Sequence, residues 1–220
     1  MSELKLTCQP VTLDLKTTFR IAHGASDQRY NVIAHLDYEG FTGLGESAAV
    51  VYHGESQAGI IDYMRQVTSL LGNDPYDLEM IENCLPAGSQ AARAGIDIAL
   101  HDLWGKLLGQ PLYRLLGLDP EKIPLTSFTV AIDEPGKMAE RVKESGYPII
   151  KIKLGSPDDL AIVSAIRRVT GARLRVDANA GWTRQQALAL IPRLVEYDLE
   201  FVEQPLEKGD IEGLRWLRAE

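Results

Sequence analysis

The sequence predicts two domains in tandem: an α+β domain over residues 1–122, then a parallel α/β domain over 123–220. Three observations carry this. Early runs alternate apolar and polar residues around a Gly turn, the mark of an antiparallel meander with one face on a core. Beyond Ile123, strand-like and helix-like stretches alternate, which is how successive βα units of a parallel sheet read. Three of the short apolar runs there end in charged residues at even spacing, Lys153 to Asp177 being 24 residues and Asp177 to Glu203 being 26. That interval is close to the roughly 30 residues per unit of a (β/α)8, TIM-type barrel. Only about the first four such units fit before Glu220.

The elements follow in order. Residues 4–14 and 29–38 read as strands, with a turn at Asp37-Tyr-Glu-Gly40 before Phe41 to Glu46 resumes. Between the first two lies a polar, Gly-containing segment, Lys16 to Ser26, read as a long functional loop because it exceeds a tight hairpin. Gly43-Leu-Gly45 fits a dinucleotide fingerprint only nominally, since no helix follows it, and is set aside. Residues 56–71 carry Ile60, Ile61, Met64, Val67 and Leu71 on one helical stripe behind Ser56 as N-cap. A second helix is predicted over Tyr76 to Cys84. A third runs from Ser89 to Leu108, with an Ala-rich face suited to close packing and Gly109 as its stop. His101 within it reads as structural. Pro111 to Leu116 is one more short helix. The second domain alternates Pro124 to Ile132 (strand), Pro135 to Ser145 (helix), the Lys151 strand, Pro157 to Val169, the Asp177 strand, Thr183 to Tyr197, the Glu203 strand, and a helix from Asp210 to Ala219.

Strand alternation puts Lys151 with Lys153, and Asp177 with Asn179, on one face, and barrel chemistry sits at the C-terminal ends of strands. A lone Lys-x-Lys is usually a solvated strand face and a lone Asp-x-Asn a turn. Together they read differently, because buried amines and carboxylates are expensive unless paired or metal-bound. Two amines are expected to face two carboxylates across one mouth.

At these residues the chain resembles the enolase superfamily in its muconate lactonizing branch, in which a Lys-x-Lys, an Asp-x-Asn and a Glu-Gln-Pro follow at such intervals. Nearly the whole chain takes part. Phe19-Arg-Ile-Ala-His-Gly24, Tyr52-His-Gly-Glu-Ser56, Leu85-Pro-Ala-Gly88 and Ala99-Leu-His-Asp-Leu103 are similar to stretches of dipeptide epimerases, the L-Ala-D/L-Glu epimerases and their relatives. The resemblance implies an N-terminal domain that caps the barrel mouth and a Mg2+-dependent epimerase that takes the α-proton beside a carbonyl through an enolate. It implies Lys153 as the base, Lys151 as its electrostatic helper, Asp177 and Glu203 as two of three carboxylate ligands of Mg2+, and Asn179 near the metal. Lys151 would lower the pKa of Lys153 by like-charge repulsion. Thr129 is expected to bond the substrate carboxylate or the metal's surroundings. Muconate cycloisomerases, o-succinylbenzoate synthases and N-acylamino acid racemases share the Lys-x-Lys, and a non-catalytic fragment is the alternative outside enzymes.

Substrate choice is expected in the Lys16 to Ser26 and Val50 to Glu55 loops. L-Ala-D/L-Glu epimerases typically supply an Arg after Phe-x-Ile-Ala, suited to bidentate pairing with glutamate. Here His23 stands at that position and Arg20 three residues earlier, so dipeptides with an uncharged C-terminal residue are expected to serve at least as well as Ala-Glu.

The formal net charge of −8 without a basic cluster argues against nucleic acid or an anionic membrane as partner, leaving a small-molecule substrate. No run approaches 18 apolar residues, and the two cysteines, Cys8 and Cys84, lie far apart, which reads as reduced thiols in a cytoplasmic protein. A closed barrel needs about eight strands, and one more period would place a third carboxylate near position 228 and one further an opposite-face lysine near 252. The chain is therefore expected to be inactive alone and part of a longer protein, homo-oligomeric at full length.

Overall fold

A computed structural model describes residues 3–220 and divides them into two compact units. One holds Gln28–Ile123 with the N-terminal stretch up to Leu15; the other holds Pro124–Glu220 together with Lys16–Asp27.

The first unit is built on a three-stranded sheet in the order β1 (Lys5–Ile21), β2 (Gly24–Tyr38), β3 (Phe41–Ala48). Strands β2 and β3 pair antiparallel from Asn31 opposite Ala48 to Tyr38 opposite Phe41. The meander is as expected, but the segment Lys16 to Ser26 is not a loop. Strand β1 continues to Ile21 and β2 starts at Gly24, leaving a two-residue turn at Ala22–His23. Thr18 donates across the ribbon to Asp27 (2.5 Å), and Phe19, Ile21 and Ala22 are only half-buried. No residue of the ribbon is fully buried and its apolar positions are few, which is why it reads as a loop.

Helix α1 (Gln57–Val67) begins at Ser56, whose hydroxyl accepts from the Gly59 amide at 3.1 Å. Ile60, Met64 and Val67 turn inward from it and Leu71 follows, all but fully buried. After α2 (Leu78–Cys84), capped by Asp77, comes α3 (Gln90–Leu107), capped by Ser89. A Cβ on Gly43 would lie 2.0 Å from the Ala99 carbonyl oxygen, and one on Gly45 would lie 1.9 Å from that of Gly95. These glycines let α3 lie directly on β3, a packing role rather than a phosphate-binding one. Helix α4 (Leu112–Leu115) closes the unit with Gly117 left-handed behind it.

In the second unit four parallel strands, β4 (Phe128–Val130), β5 (Ile149–Lys153), β6 (Arg173–Asp177) and β7 (Leu199–Glu203), lie side by side in chain order. Helices α5 (Pro135–Ser145), α6 (Asp159–Arg167), α7 (Arg184–Val195) and α8 (Ile211–Ala219) follow them in turn. Each strand presents one apolar side. Ile150, Ile152, Leu154, Leu174, Val176 and Ala178 are wholly buried and pack with Met138, Val142, Ile162, Ile166 and Leu194 of the helices. At about 1.5–3 kcal/mol per large side chain, this layer holds the sheet together. Helix α7 starts with a reciprocal capping box between Thr183 and Gln186. Arg167, at the end of α6, donates to the carbonyls of Tyr197, Ala172, Thr170 and Asp198 over 2.9–3.3 Å, tying together the chain entering β6 and β7.

Cys8 and Cys84 are free thiols. Among the described residues no helix is long and apolar enough to cross a membrane.

Candidate functional site

Parallel register is what assembles the site. Lys153 stands opposite Asp177, and Asp177 opposite Glu203, at the C-terminal ends of β5, β6 and β7. Because side chains alternate, the residues flanking Ile152 and Val176 point away from the apolar layer, so Lys151, Lys153, Arg175 and Asp177 share the other face. The Lys153 ammonium donates to Asp177 Oδ2 at 2.7 Å, and Lys151 bridges the same oxygen at 3.0 Å and Glu203 Oε2 at 2.6 Å. Two amines and two carboxylates thus meet, as the spacing predicts. Asp177 is the most enclosed, with its side chain 3% exposed; Lys153 is 12%, Lys151 23% and Glu203 46% exposed.

Burial alone would push the Asp177 carboxyl up, but hydrogen bonds from Lys153, Lys151 and the Asn179 amide outweigh it and hold it below the usual carboxylate range. Burial likewise opposes the charge on Lys151, and its bonds to Glu203 and Asp177 hold the ammonium above the ordinary lysine range. The two ammonium groups share a carboxylate between them, so their dominant contact is attractive.

Thr129 sits one strand over, in register with Lys151. Asn179 lies beyond the end of β6. Its amide donates to Asp177 Oδ1 at 2.9 Å, while its side-chain oxygen Oδ1 is buried without a hydrogen-bond partner. Arg20 and His23 are on the ribbon: the Arg20 carbonyl accepts from the Ile132 amide at 3.0 Å, just past β4, and His23 forms half of the turn. Both side chains are exposed.

Several features of the site had no clear signal in the sequence. Asn179, Ala180 and Gln204 are left-handed, with φ of 47°, 59° and 42°, directly after Asp177 and Glu203. Such backbone persists where its surroundings over-determine it, and it clusters at functional sites. Below the quartet, Arg175 donates to Glu200 (2.5 Å) and Ser127 (2.9 Å) and lies 5.3 Å from the centre of the Phe201 ring. The Arg175 hydrogen bond holds the Glu200 carboxyl below its usual range. A register shift between Leu174 and Arg175 makes room for Glu200 there.

As a donor set, Asp177, Glu203 and the orphaned Asn179 Oδ1 are all hard oxygens, the chemistry that suits Mg2+. Among the described residues no group of three or more His, Cys, Asp or Glu is arranged to hold a metal, so the carboxylates here number two.

A family model described as mandelate racemase/muconate lactonizing enzyme, N-terminal domain, matches residues 2–117. The chain belongs to this family. An enolase C-terminal domain-like model matches residues 135–220, so the mandelate racemase/muconate lactonizing enzyme chain carries an N-terminal capping domain and a C-terminal α/β domain that bears the quartet. Among its relatives are an L-Ala-D/L-Glu epimerase from Bacteroides thetaiotaomicron, 38% identical over 98% of this chain and 58% of that protein, and a hydrophobic dipeptide epimerase from Enterococcus faecalis, 36% identical over 94% and 62%. A solved dipeptide epimerase from Enterococcus faecalis, complexed with Mg and L-Leu-L-Tyr, superposes with a TM-score of 0.92 at 34% identity, covering 100% of this chain and 65% of that one. The chain spans about three fifths of the length of the curated relatives it matches.

Proposed function

We propose that this chain is the capping domain (1–122) and the first four βα units (123–220) of a Mg2+-dependent dipeptide epimerase whose second domain is a TIM-type barrel. The observation that carries this is the pair of ammonium groups interleaved with two carboxylates on three neighbouring strand ends. Purely structural ion pairs rarely take this form, because desolvating four charges at one point is costly. A dipeptide substrate is supported by the relatives, which include epimerases for Ala-Glu and for hydrophobic dipeptides, and by the Mg and dipeptide held by the Enterococcus faecalis enzyme. A cytoplasmic location accords with the two free thiols.

In this reading Asp177 and Glu203 hold Mg2+, with Asn179 beside them. When bound, the ion supplies positive charge at the substrate oxygen where negative charge develops. Lys153, once it has lost its ammonium proton to solvent and stands as the neutral amine, takes the α-proton at Nζ from one face of the α-carbon. Lys151, two residues earlier on the same face of β5, keeps its charge and sets the field in which that proton moves. Thr129, in register with Lys151, hydrogen-bonds the substrate carboxylate. His23 and Arg20 bear on the C-terminal side chain of the dipeptide.

The test is incorporation of deuterium at the α-carbon from heavy water, with the full-length protein, Mg2+ and a dipeptide panel. Exchange of the C-terminal residue's α-proton supports the reading. A folded, Mg2+-binding protein that exchanges none of the panel refutes it and favours a non-catalytic role.

A further inference from the structure

Asp159 is a carboxylate that the chemistry above leaves unused. It is 1% exposed at the start of α6, and it joins the chain segments behind the reactive strand ends. Its Oδ1 accepts from the Ser156 amide (2.8 Å), the Ser156 hydroxyl (3.0 Å) and the Gly155 amide (3.1 Å), all in the turn that follows Lys153. Its Oδ2 accepts from the Trp182 indole N–H at 2.7 Å, in the turn that follows Asp177. Trp182 reaches further: its backbone N–H donates to the Pro205 carbonyl (3.3 Å), two residues past Glu203, beside an Ala180 to Gln204 bond of 2.8 Å. One buried carboxyl group therefore links, directly or through Trp182, the three turns that leave Lys153, Asp177 and Glu203.

The same turns form a seat for the ribbon. A Cβ on Gly155 would lie 2.6 Å from the Ala22 Cβ, and one on Gly181 would lie 2.8 Å from it and 2.9 Å from the Gly155 Cα. Gly155 is also left-handed, at φ 102°. Ala22 thus rests on two glycines whose spacing is set by the turns that Asp159 joins. A helix cap would need only the Ser156 side of this carboxylate; the indole on its other oxygen is what extends the network across the strands.

We propose that Asp159 is a positioning residue, acting through Trp182 to fix the Lys153, Asp177 and Glu203 strand ends and to hold the Ala22–His23 turn over them. The inference rests on the function proposed above only for its kinetic consequence.

The experiment uses the full-length protein in three forms: wild type, Trp182→Phe, which keeps the ring and removes the N–H, and Ser156→Ala, which trims only the cap side. Amide hydrogen exchange, tryptic cleavage after Arg20, Mg2+ affinity and dipeptide kinetics are measured well below the unfolding temperature. In Trp182→Phe the Ala180 and Trp182 amides and the cleavage after Arg20 are expected to speed up about tenfold or more, with Mg2+ affinity or kcat falling about 10–100-fold and KM little changed. Ser156→Ala is expected to stay within about threefold of wild type on every measure. The proposal is overturned if Trp182→Phe leaves those amides and the cleavage rate unchanged, if amides of the β2–β3 pair speed up equally, or if kcat and Mg2+ affinity both hold while the turns loosen. An inactive wild type would count against the proposed function alone, since the amides, cleavage and Mg2+ affinity still decide the positioning role.

Discussion

Replacing Lys151 by Met should weaken the metal-free fold and strengthen divalent cation binding, and both effects come from the same contacts. The Lys151 ammonium touches Asp177 Oδ2 at 3.0 Å and Glu203 Oε2 at 2.6 Å. With Asp177 enclosed, the first contact is a charge-assisted hydrogen bond worth about 1.5–3 kcal/mol. Glu203 is half exposed, so the second is worth less than about 1 kcal/mol. Asp177 keeps Lys153 and the Asn179 amide, so no buried charge is orphaned. The expected loss is about 2 kcal/mol, or a Tm lower by roughly 4–8 °C. A divalent cation on Asp177 and Glu203 must work against that same ammonium. Removing it should tighten Mg2+ binding about 10–30-fold, at 1.4 kcal/mol per factor of ten. Thermal unfolding in chelator and calorimetric titration of Mg2+ into the full-length protein read the two effects separately. Unchanged or weaker Mg2+ binding in the variant would refute the assignment of these carboxylates as ligands.

Lys153→Ala should abolish α-proton exchange from one enantiomer of the dipeptide while keeping or tightening Mg2+ binding, since it too removes an ammonium from Asp177, whereas Asp177→Asn should weaken Mg2+ and remove exchange from both, because a base serves one face and the cation both. Equal loss of both exchanges in the Lys153 variant would count against a one-sided base. His23→Arg should shift preference toward Ala-Glu by offering a bidentate partner at the ribbon turn, read as a ratio of kcat/KM values against an apolar dipeptide; an unchanged ratio places specificity elsewhere. Arg167→Met should lower stability by about 2–4 kcal/mol in urea, since the carbonyls of Tyr197, Ala172, Thr170 and Asp198 lose a shared donor, and a change under about 0.5 kcal/mol would show that water replaces it freely.

The parallel sheet and its charged ends were legible because β5, β6 and β7 each carry an apolar side and stop at a charge. Ile149–Lys153 and Arg173–Asp177 carry both signals within five residues each. The ribbon was not legible, because no residue of Lys16 to Asp27 is fully buried and its few anchors, such as Ala22 against Gly155 and Gly181, come from distant turns. Asp159 was invisible for a different reason. Its partners Gly155, Ser156 and Trp182 come from two turns, and nothing in the local pattern around Asp159 distinguishes it from an ordinary first-turn acid. The glycines behave likewise: Gly43 and Gly45 lie in a run read as strand, and nothing there signals their packing role until α3 is seen lying against them.

The sheet divides its labour between its faces, and this yields the sharpest separation of function from stability. On the helix side, Ile150, Ile152, Leu174 and Val176 are fully buried and supply cohesion. On the other side, the quartet spends solvation on four charges that only partly offset one another. Removing one member should therefore harm the fold more than removing all four. Asp177→Asn alone leaves Lys151 with Glu203 only and Lys153 with no carboxylate partner, at an expected cost of about 3 kcal/mol. In the quadruple variant Lys151→Met, Lys153→Met, Asp177→Asn and Glu203→Gln, no charge is stranded, and the Asn side chain still offers an oxygen to the Asn179 amide. Its stability should lie within about 1 kcal/mol of wild type or above it. Urea unfolding of the metal-free proteins makes the comparison. A quadruple variant less stable than Asp177→Asn would mean that the quartet holds the fold together, and the case for reading it as a reactive site would lose its physical basis.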